Sequence, residues 1–311
     1  MAKALVTGGA GFIGSHIVRA LLRRGDETRV VDDLSTGRRE NIEGVAERIE
    51  FIEGDIADPA TASRAVEGVE VVFHEAALPS VPRSIDEPEA TNRACVDGTV
   101  ALLDAARKAG VRRVVYAASS SAYGDQPGFP RREDMAPQPL SPYAAAKLAG
   151  EYYCQVFSMC YDLETVCLRY FNVFGPRQNP KSQYAAAIPI FVSKMLAGEQ
   201  PTIFGDGAQS RDWTYVANVV HANLLAADAP GASGKVFNVG CGKTLSVNAV
   251  VKKIKDMLRV EIEPKYEPSR PGDVKKSHGD ISQARDILGY GPIVTFGEGL
   301  ARTVQWMRRN A

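Results

Sequence analysis

Ala4-Leu5-Val6-Thr7-Gly8-Gly9-Ala10-Gly11-Phe12-Ile13-Gly14 is the stretch that decides the fold. Its first four residues form a short apolar run with the composition of a buried parallel strand. Gly9, Gly11 and Gly14 then fit G-x-G-x-x-G, and Gly8, Gly11 and Gly14 fit a three-residue spacing. Ile13, Ile17, Val18, Leu21 and Leu22 follow on one helical face that ends near Gly25. The glycines therefore sit between a strand and a helix, the context a dinucleotide fingerprint requires. There they let backbone approach a pyrophosphate, which rests on the helix N-terminus against Gly8, Gly11, Phe12, Ile13 and Gly14.

Outward from this unit, strands and helices alternate. Residues 28–31 read as a second strand ending at Asp32, where a carboxylate bonds a ribose diol. An acid there repels a 2′-phosphate, so NAD is expected rather than NADP. Asp33, Leu34, Ser35, Thr36 and Gly37 should close over the adenosine. A third strand over 49–52 leads into Gly54-Asp55-Ile56, where Asp55 either meets the adenine amine or caps a helix before Pro59. The fourth strand, 69–74, runs into Ala76-Ala77-Leu78, side chains suited to a nearby cofactor; His74 reads as a core histidine without a role. A helix over about 89–110 and a fifth strand over 113–118 deliver Ser119-Ser120-Ser121. Hydroxyls at the carboxyl end of a parallel strand face the ligand crevice.

After a proline-rich loop comes Ser141-Pro142-Tyr143-Ala144-Ala145-Ala146-Lys147. Ser141 reads as an N-cap and Pro142 as the first helical residue. Tyr143 and Lys147 then lie one turn apart on one face. A neighbouring cation favours phenolate, so the tyrosine is expected to exchange protons near neutral pH. A sixth strand, 164–169, delivers Tyr170-Phe171-Asn172-Val173-Phe174-Gly175, after which the alternation breaks. Ser210-Arg211-Asp212 and Arg270-Pro271-Gly272-Asp273 each place an arginine beside an aspartate. Two such arginines suit a second pyrophosphate, or form surface ion pairs.

The expected fold is α/β: a Rossmann-type, doubly wound parallel sheet with a smaller, interleaved C-terminal substrate domain. Residues 1–175, with a return segment about 211–240, would bind NAD; 176–210 and 241–311 would form the smaller domain. The 311 residues carry 45% hydrophobic and 24% charged side chains, with 37 Lys plus Arg against 37 Asp plus Glu. That balance points to neither nucleic acid nor a membrane surface. Cys95, Cys154, Cys160, Cys167 and Cys241 are scattered, as expected of reduced thiols in the cytoplasm rather than a zinc site. No signal peptide, membrane span or metal site is expected.

With Asn172 in place, the chain resembles the extended short-chain dehydrogenase/reductase family, and within it the nucleotide-diphosphate-sugar 4-epimerases. The carrying motifs are Thr7-Gly8-Gly9-Ala10-Gly11-Phe12-Ile13-Gly14, Ser119-Ser120-Ser121-Ala122-Tyr123-Gly124, Tyr143-x-x-x-Lys147 and Arg169-Tyr170-Phe171-Asn172-Val173-Phe174-Gly175. The stretches from His74 to Ser84 and from Gly205 to Asp212 are most similar to bacterial UDP-N-acetylglucosamine 4-epimerases. The resemblance implies NAD-dependent inversion at C4 of a UDP-hexose through a 4-keto sugar, acetylated or plain. It implies Tyr143 as base, with Lys147 on the nicotinamide ribose and lowering the tyrosine's pKa. Ser119 would be the catalytic hydroxyl, with Ser120 and Ser121 close enough to share that role. Tyr170 would touch the cofactor. Asn172 and Arg211, joined by Arg270, would hold the substrate phosphates and Asp273 the uridine ribose. Ala187-Ile188-Pro189 and Thr202-Ile203-Phe204 would frame the uracil, Ser80 would touch the substrate, and Ser277 would border the C2 substituent. Relatives often carry Asn where this chain has Cys95. A homodimer through helices over 89–110 and 142–161 is also implied.

Three other readings share parts of this pattern. A 4-epimerase confined to plain UDP-glucose would close the pocket at Ser277. A 4,6-dehydratase needs an acid and a base where this chain has Ser120 and Ser121. An NAD-binding sensor would need neither Tyr143 nor Lys147.

Overall fold

The computed structural model describes residues 3–180, 186–269 and 274–310. Seven strands form the central sheet: β1 (Lys3–Thr7), β2 (Glu27–Asp32), β3 (Ile49–Glu53), β4 (Val71–His74), β5 (Arg113–Ser119), β6 (Glu164–Tyr170) and, late in the chain, β11 (Lys235–Val239). The remaining strands are short: β7 (Val173–Phe174), β8 (Thr202–Phe204), β9 (Ser210–Arg211), β10 (Thr214–Tyr215), β12 (Leu245–Ser246), β13 (Lys265–Glu267) and β14 (Lys276–Ser277). The helices are α1 (Phe12–Arg24), α2 (Glu40–Glu43), α3 (Pro59–Val66), α4 (Val81–Asp86), α5 (Pro88–Asn92), α6 (Gly98–Lys108), α7 (Pro142–Cys160), α8 (Ala187–Leu196), α9 (Val216–Asp228), α10 (Val247–Leu258) and α11 (Phe296–Arg309).

The strand order is β11-β6-β5-β4-β1-β2-β3, and every neighbouring pair is parallel. The direction of winding reverses between β1 and β4, the switch point at which such sheets bind ligands. Both sheet faces are covered, so the strands are apolar on both sides. Val6, Val30, Phe73, Val115 and Leu168 pack with Ile17 and Leu21 of α1 and Val219 and Ala222 of α9. Their neighbours Leu5, Val31, Val72, Val114 and Cys167 face the opposite layer, with Ala62 of α3, Leu102 of α6 and Phe157 of α7.

The strands and helices expected up to residue 170 form within a residue or two; three details differ. The helix expected over 89–110 is interrupted by a π-helical turn, Arg93–Asp97, which carries the buried Cys95. Such turns accommodate one extra residue and re-aim a side chain. Helix α4 is not among the expected elements; it is started by Ser80, whose Oγ accepts from Arg83 N at 3.1 Å. The cap before Pro59 is Asp58, which bonds Ala60 N and Thr61 N, rather than Asp55. Among the described residues no helix is long and apolar enough to cross a membrane, and no side-chain cluster has the makings of a metal site.

Candidate active site

The crevice lies at the carboxyl ends of β1, β4 and β5. Gly8 has φ +65°, and a side chain there would meet the Ala76 backbone at 2.8 Å. At Gly14 it would overlap the Gly8 carbonyl. These two positions bring helix and loop together as only glycine allows. Helix α1 starts after Gly11 with no side chain capping it, so the N–H groups of its first turn remain available to an anion. Asp32 accepts from Ala10 N at 2.8 Å and from Leu34 N at 2.9 Å, which pins the glycine loop to β2. Each of its oxygens keeps further acceptor capacity for a diol. Burial pushes its carboxyl above the usual range.

Around this loop, Asp33 accepts from Ser35 N at 2.9 Å and Oγ at 2.6 Å, Leu34 adopts φ 59°, and Gly37 packs on the Asp32 carboxylate. Thr36 lies between them in the same turn. Asp55 accepts from Ala57 N at 2.8 Å and pairs with Arg93 at 2.7 Å. Ile56 and Leu78 are buried, and Ala76 N donates to Thr7 Oγ1 at 3.1 Å. These donors, acids and glycines fit a dinucleotide's pyrophosphate and adenosine.

Tyr143 and Lys147 stand one turn apart on α7, which Ser141 caps by accepting from Ala144 N. Tyr143 is half-buried, and the Ser119 hydroxyl bonds its side chain. Ser121 Oγ donates to Ser119 Oγ at 2.8 Å. Ser119 and Ser121 thus form a short relay ending on Tyr143, while Ser120 opens the 3-10 turn Ser120–Tyr123. Lys147 is buried, with Nζ 4.8 Å from the centre of the Tyr116 ring. The phenol's protein surroundings do not by themselves favour phenolate. Burial pushes the Tyr143 phenol well above its ordinary value, and the Ser119 bond offsets this only in part. Burial also lowers the Lys147 ammonium, despite nearby Cys95 and Glu75. Burial, with the nearby Cys95 and Glu75, thus reinforces the protonated phenol that Tyr143 would have at neutral pH in any case.

His74 is a satisfied core histidine, between Thr7 Oγ1 at 2.7 Å and Thr99 Oγ1 at 3.0 Å, and burial lowers its pKa to about 3. Sequence reasoning missed the residue beside it. Glu75 accepts from the Tyr170 hydroxyl at 2.7 Å, and burial pushes its carboxyl up to about 7. The available signal was an acid one residue past a parallel strand that points at the crevice. Behind the site, the buried Arg169 makes two bonds to the buried Glu151, at 2.9 and 2.6 Å, and its guanidinium lies 4.6 Å from the Tyr123 ring centre.

The opposite wall comes from the later half of the chain. Asn172 has φ 36°, a left-handed conformation that Asn tolerates. Its Nδ2 donates to Ser277 Oγ at 3.1 Å and to Asp212 O at 3.3 Å. Ser277 is paired with Arg211 across β14 and β9, so Asn172, Arg211 and Ser277 meet at one spot. Ser277 is half-buried in a strand and not on a solvated loop. Asp212 is buried and accepts from Cys241 N at 2.7 Å and Gly242 N at 3.0 Å, so it is a loop anchor and not half of a surface ion pair. Ile188 and Ile203 turn into the core, whereas Ala187, Thr202 and Phe204 keep partial exposure. Arg270 and Asp273 lie outside the described residues.

Residues 4–240 match the model of the NAD dependent epimerase/dehydratase family. The UDP-glucose 4-epimerase of Mycolicibacterium smegmatis is 42% identical over 99% of both chains. The crystal structure of a Thermotoga maritima UDP-glucose 4-epimerase with UDP-glucose superimposes with a TM-score of 0.95 at 41% identity, covering 99% of both chains. A UDP-N-acetylglucosamine 4-epimerase from Methanobrevibacter ruminantium, in complex with UDP-N-acetylmuramic acid, gives a TM-score of 0.95 at 41% identity. That match covers 100% of this chain and 99% of the other.

Proposed function

This chain belongs to the NAD dependent epimerase/dehydratase family, and from that premise we propose that it inverts C4 of a UDP-hexose through a 4-keto sugar, using NAD. The observation that carries the reading is the line Ser121–Ser119–Tyr143 beside Lys147, at the mouth of a glycine loop built for a dinucleotide. The preferred substrates are UDP-N-acetylglucosamine and UDP-N-acetylgalactosamine, with plain UDP-glucose and UDP-galactose also accepted. Support for the acetylated sugars is the small Ser277 beside Asn172 and Arg211. Residues 1–175 and 211–240 serve the cofactor; 176–210 and 241–311 serve the sugar nucleotide.

When bound, NAD supplies a hydride acceptor that is cationic when oxidised and neutral when reduced. Tyr143 takes the proton of the C4 hydroxyl as C4 gives up hydride, and Ser119 bonds the same oxygen. Lys147 holds the ribose next to the nicotinamide. Asp32 to Gly37, with Asp55 and Ile56, hold the adenosine. Ala76, Ala77, Leu78 and Tyr170 line the path between. Asn172, Arg211 and Arg270 hold the diphosphate, and Asp273 the uridine ribose. Ala187, Ile188 and Thr202 to Phe204 frame the base through backbone or partly exposed atoms, and Ser80 borders the sugar. Anchoring the diphosphate leaves the keto sugar free to turn its other face before hydride and proton return. One preparation tests the reading. Denatured protein should release NAD, and UDP-hexoses should yield their C4 epimers; NADP as the main nucleotide, or a 4-keto-6-deoxy product, overturns it.

We propose further that two copies associate through the helices over 89–110 and 142–161, with α7 offering an exposed apolar face. Tyr152, Val156 and Met159 form an exposed stripe on the face opposite Lys147, and Met159 is 76% exposed. Ile85 of the neighbouring α4 is 61% exposed. Monomers rarely leave such a run uncovered. Met159→Glu should turn a dimer into a monomer in light scattering; a wild type already monomeric at micromolar concentration contradicts the pairing.

A further inference from the structure

The carboxyl of Glu75 is held by Tyr170 and has no part in the reaction outlined above. Glu75 is the first residue past β4, between the strand that ends in the glycine loop and the strand that ends at Ser119. It accepts from the Tyr170 hydroxyl of β6 at 2.7 Å. That hydroxyl accepts from Asn223 Nδ2 of α9 at 2.8 Å, and the same Nδ2 donates to Val219 O at 2.9 Å. Its backbone N–H is tied to Thr7 O at 3.2 Å. Glu75 is half-buried, with its carboxyl bonded on the Tyr170 side.

The charged and titratable groups around it come from each packed element. From α7, Lys147 attracts its negative charge, and the Tyr143 phenol, raised chiefly by burial, is raised a little further by it. From β6 comes the Tyr170 phenol, itself pushed far above its ordinary range. The Cys95 thiol of the π-helical turn faces Lys147 and Tyr143. His74 on the same strand is neutral. Shape alone does not explain an acid here, since a glutamine would fill the same volume and accept the same bond. Burying a carboxylate is costly unless it is hydrogen-bonded and faces positive charge. Lys147 supplies one positive charge here, and an oxidised nicotinamide bound at this site would supply a second.

We propose that Glu75, gripped by Tyr170 and Asn223, is the counter-charge of the redox site and favours the oxidised, cationic nicotinamide over the reduced, neutral one. This rests on the cofactor reading given above. A site that overstabilised the reduced form would strand the keto sugar; a fixed anion keeps the two forms close enough in energy for hydride to pass both ways. Glu75 acts through charge and is a positioning residue, not a catalytic one. The sign with pH follows from the burial of the carboxyl, which titrates near 7. Its charge is present above that value and lost below it.

The experiment is a redox titration of the bound cofactor in holoprotein, wild type against Glu75→Gln, followed by dihydronicotinamide absorbance. At about pH 8 the variant should favour the reduced form by roughly 10- to 100-fold more than wild type, as expected of one nearby, partly screened unit charge. The difference should shrink toward about pH 6 as wild-type Glu75 protonates. Tyr170→Phe keeps the carboxyl but removes its donor, so the wild-type pH transition should move upward. This second variant decides the matter if Glu75→Gln does not hold cofactor. An unchanged potential in Glu75→Gln, or an unmoved transition in Tyr170→Phe, overturns the inference while leaving epimerisation standing. A wild type that carries no nicotinamide overturns the cofactor reading itself.

Discussion

Tyr143→Phe folds, keeps its dinucleotide and loses about 100- to 10,000-fold of turnover, the usual worth of a positioned acid–base group. The change removes one oxygen, whose partner is Ser119. Ser119 retains its bond from Ser121 at 2.8 Å, so the relay keeps its shape and lacks its terminus. Helix α7 keeps its Ser141 cap and its buried face. The loss should fall on kcat with little change in KM, because the proton acceptor matters in the transition state more than in binding. Burial holds the phenol above its ordinary range, so positive charge from Lys147 and the oxidised cofactor must make it a base together. The Tyr143→Phe deficit should therefore persist across the pH range in which wild type is active. Near-normal epimerisation by the purified variant would remove Tyr143 from the role of base.

Ser277→Tyr loses activity on UDP-N-acetylglucosamine by about 10- to 200-fold more than on UDP-glucose, the discrimination a pocket contact of this size provides. Ser277 sits opposite Arg211 in the β14–β9 pair, with Asn172 bonded to its hydroxyl at 3.1 Å. A phenol ring at this half-buried position fills the space proposed for the acetamide group. It also removes the Asn172 partner, though Asn172 keeps its bond to Asp212 O at 3.3 Å. Ser277→Ala separates the two effects: it drops the hydroxyl without adding bulk. Alanine should cost both sugars alike and tyrosine should cost the acetylated one more. Equal losses for tyrosine on both sugars, or a wild type inert toward acetylated substrates, ends the case for Ser277 as a size gate.

Legibility divides along a physical line. The glycines at 8, 11 and 14, the alternation of strand and helix, and the Tyr143–Lys147 spacing are local requirements of backbone geometry and helical period. They stand in the chain whatever surrounds them, and the parallel sheet in the order β3-β2-β1-β4-β5-β6 follows from them. Asp32 was legible for the same reason, as an acid at the end of a strand. The loop anchors were less so. Asp55 and Asp58 are equivalent by composition, and only the start of α3 decides that Asp58 is the cap.

What the sequence by itself determined is the fold class, the strand ends that face the crevice and the residue types that meet there. Tertiary structure alone decided their charge states and their partners. How far the Tyr143 pKa is raised depends on how much water the folded crevice excludes, a property of no single segment. Glu75 meets Tyr170 and Asn223 from strand and helix far along the chain, and Ser277 meets Asn172 through a two-residue strand with no periodic signal. Spacing along the chain encodes neither desolvation nor long-range pairing, because both arise only when distant segments pack and displace water.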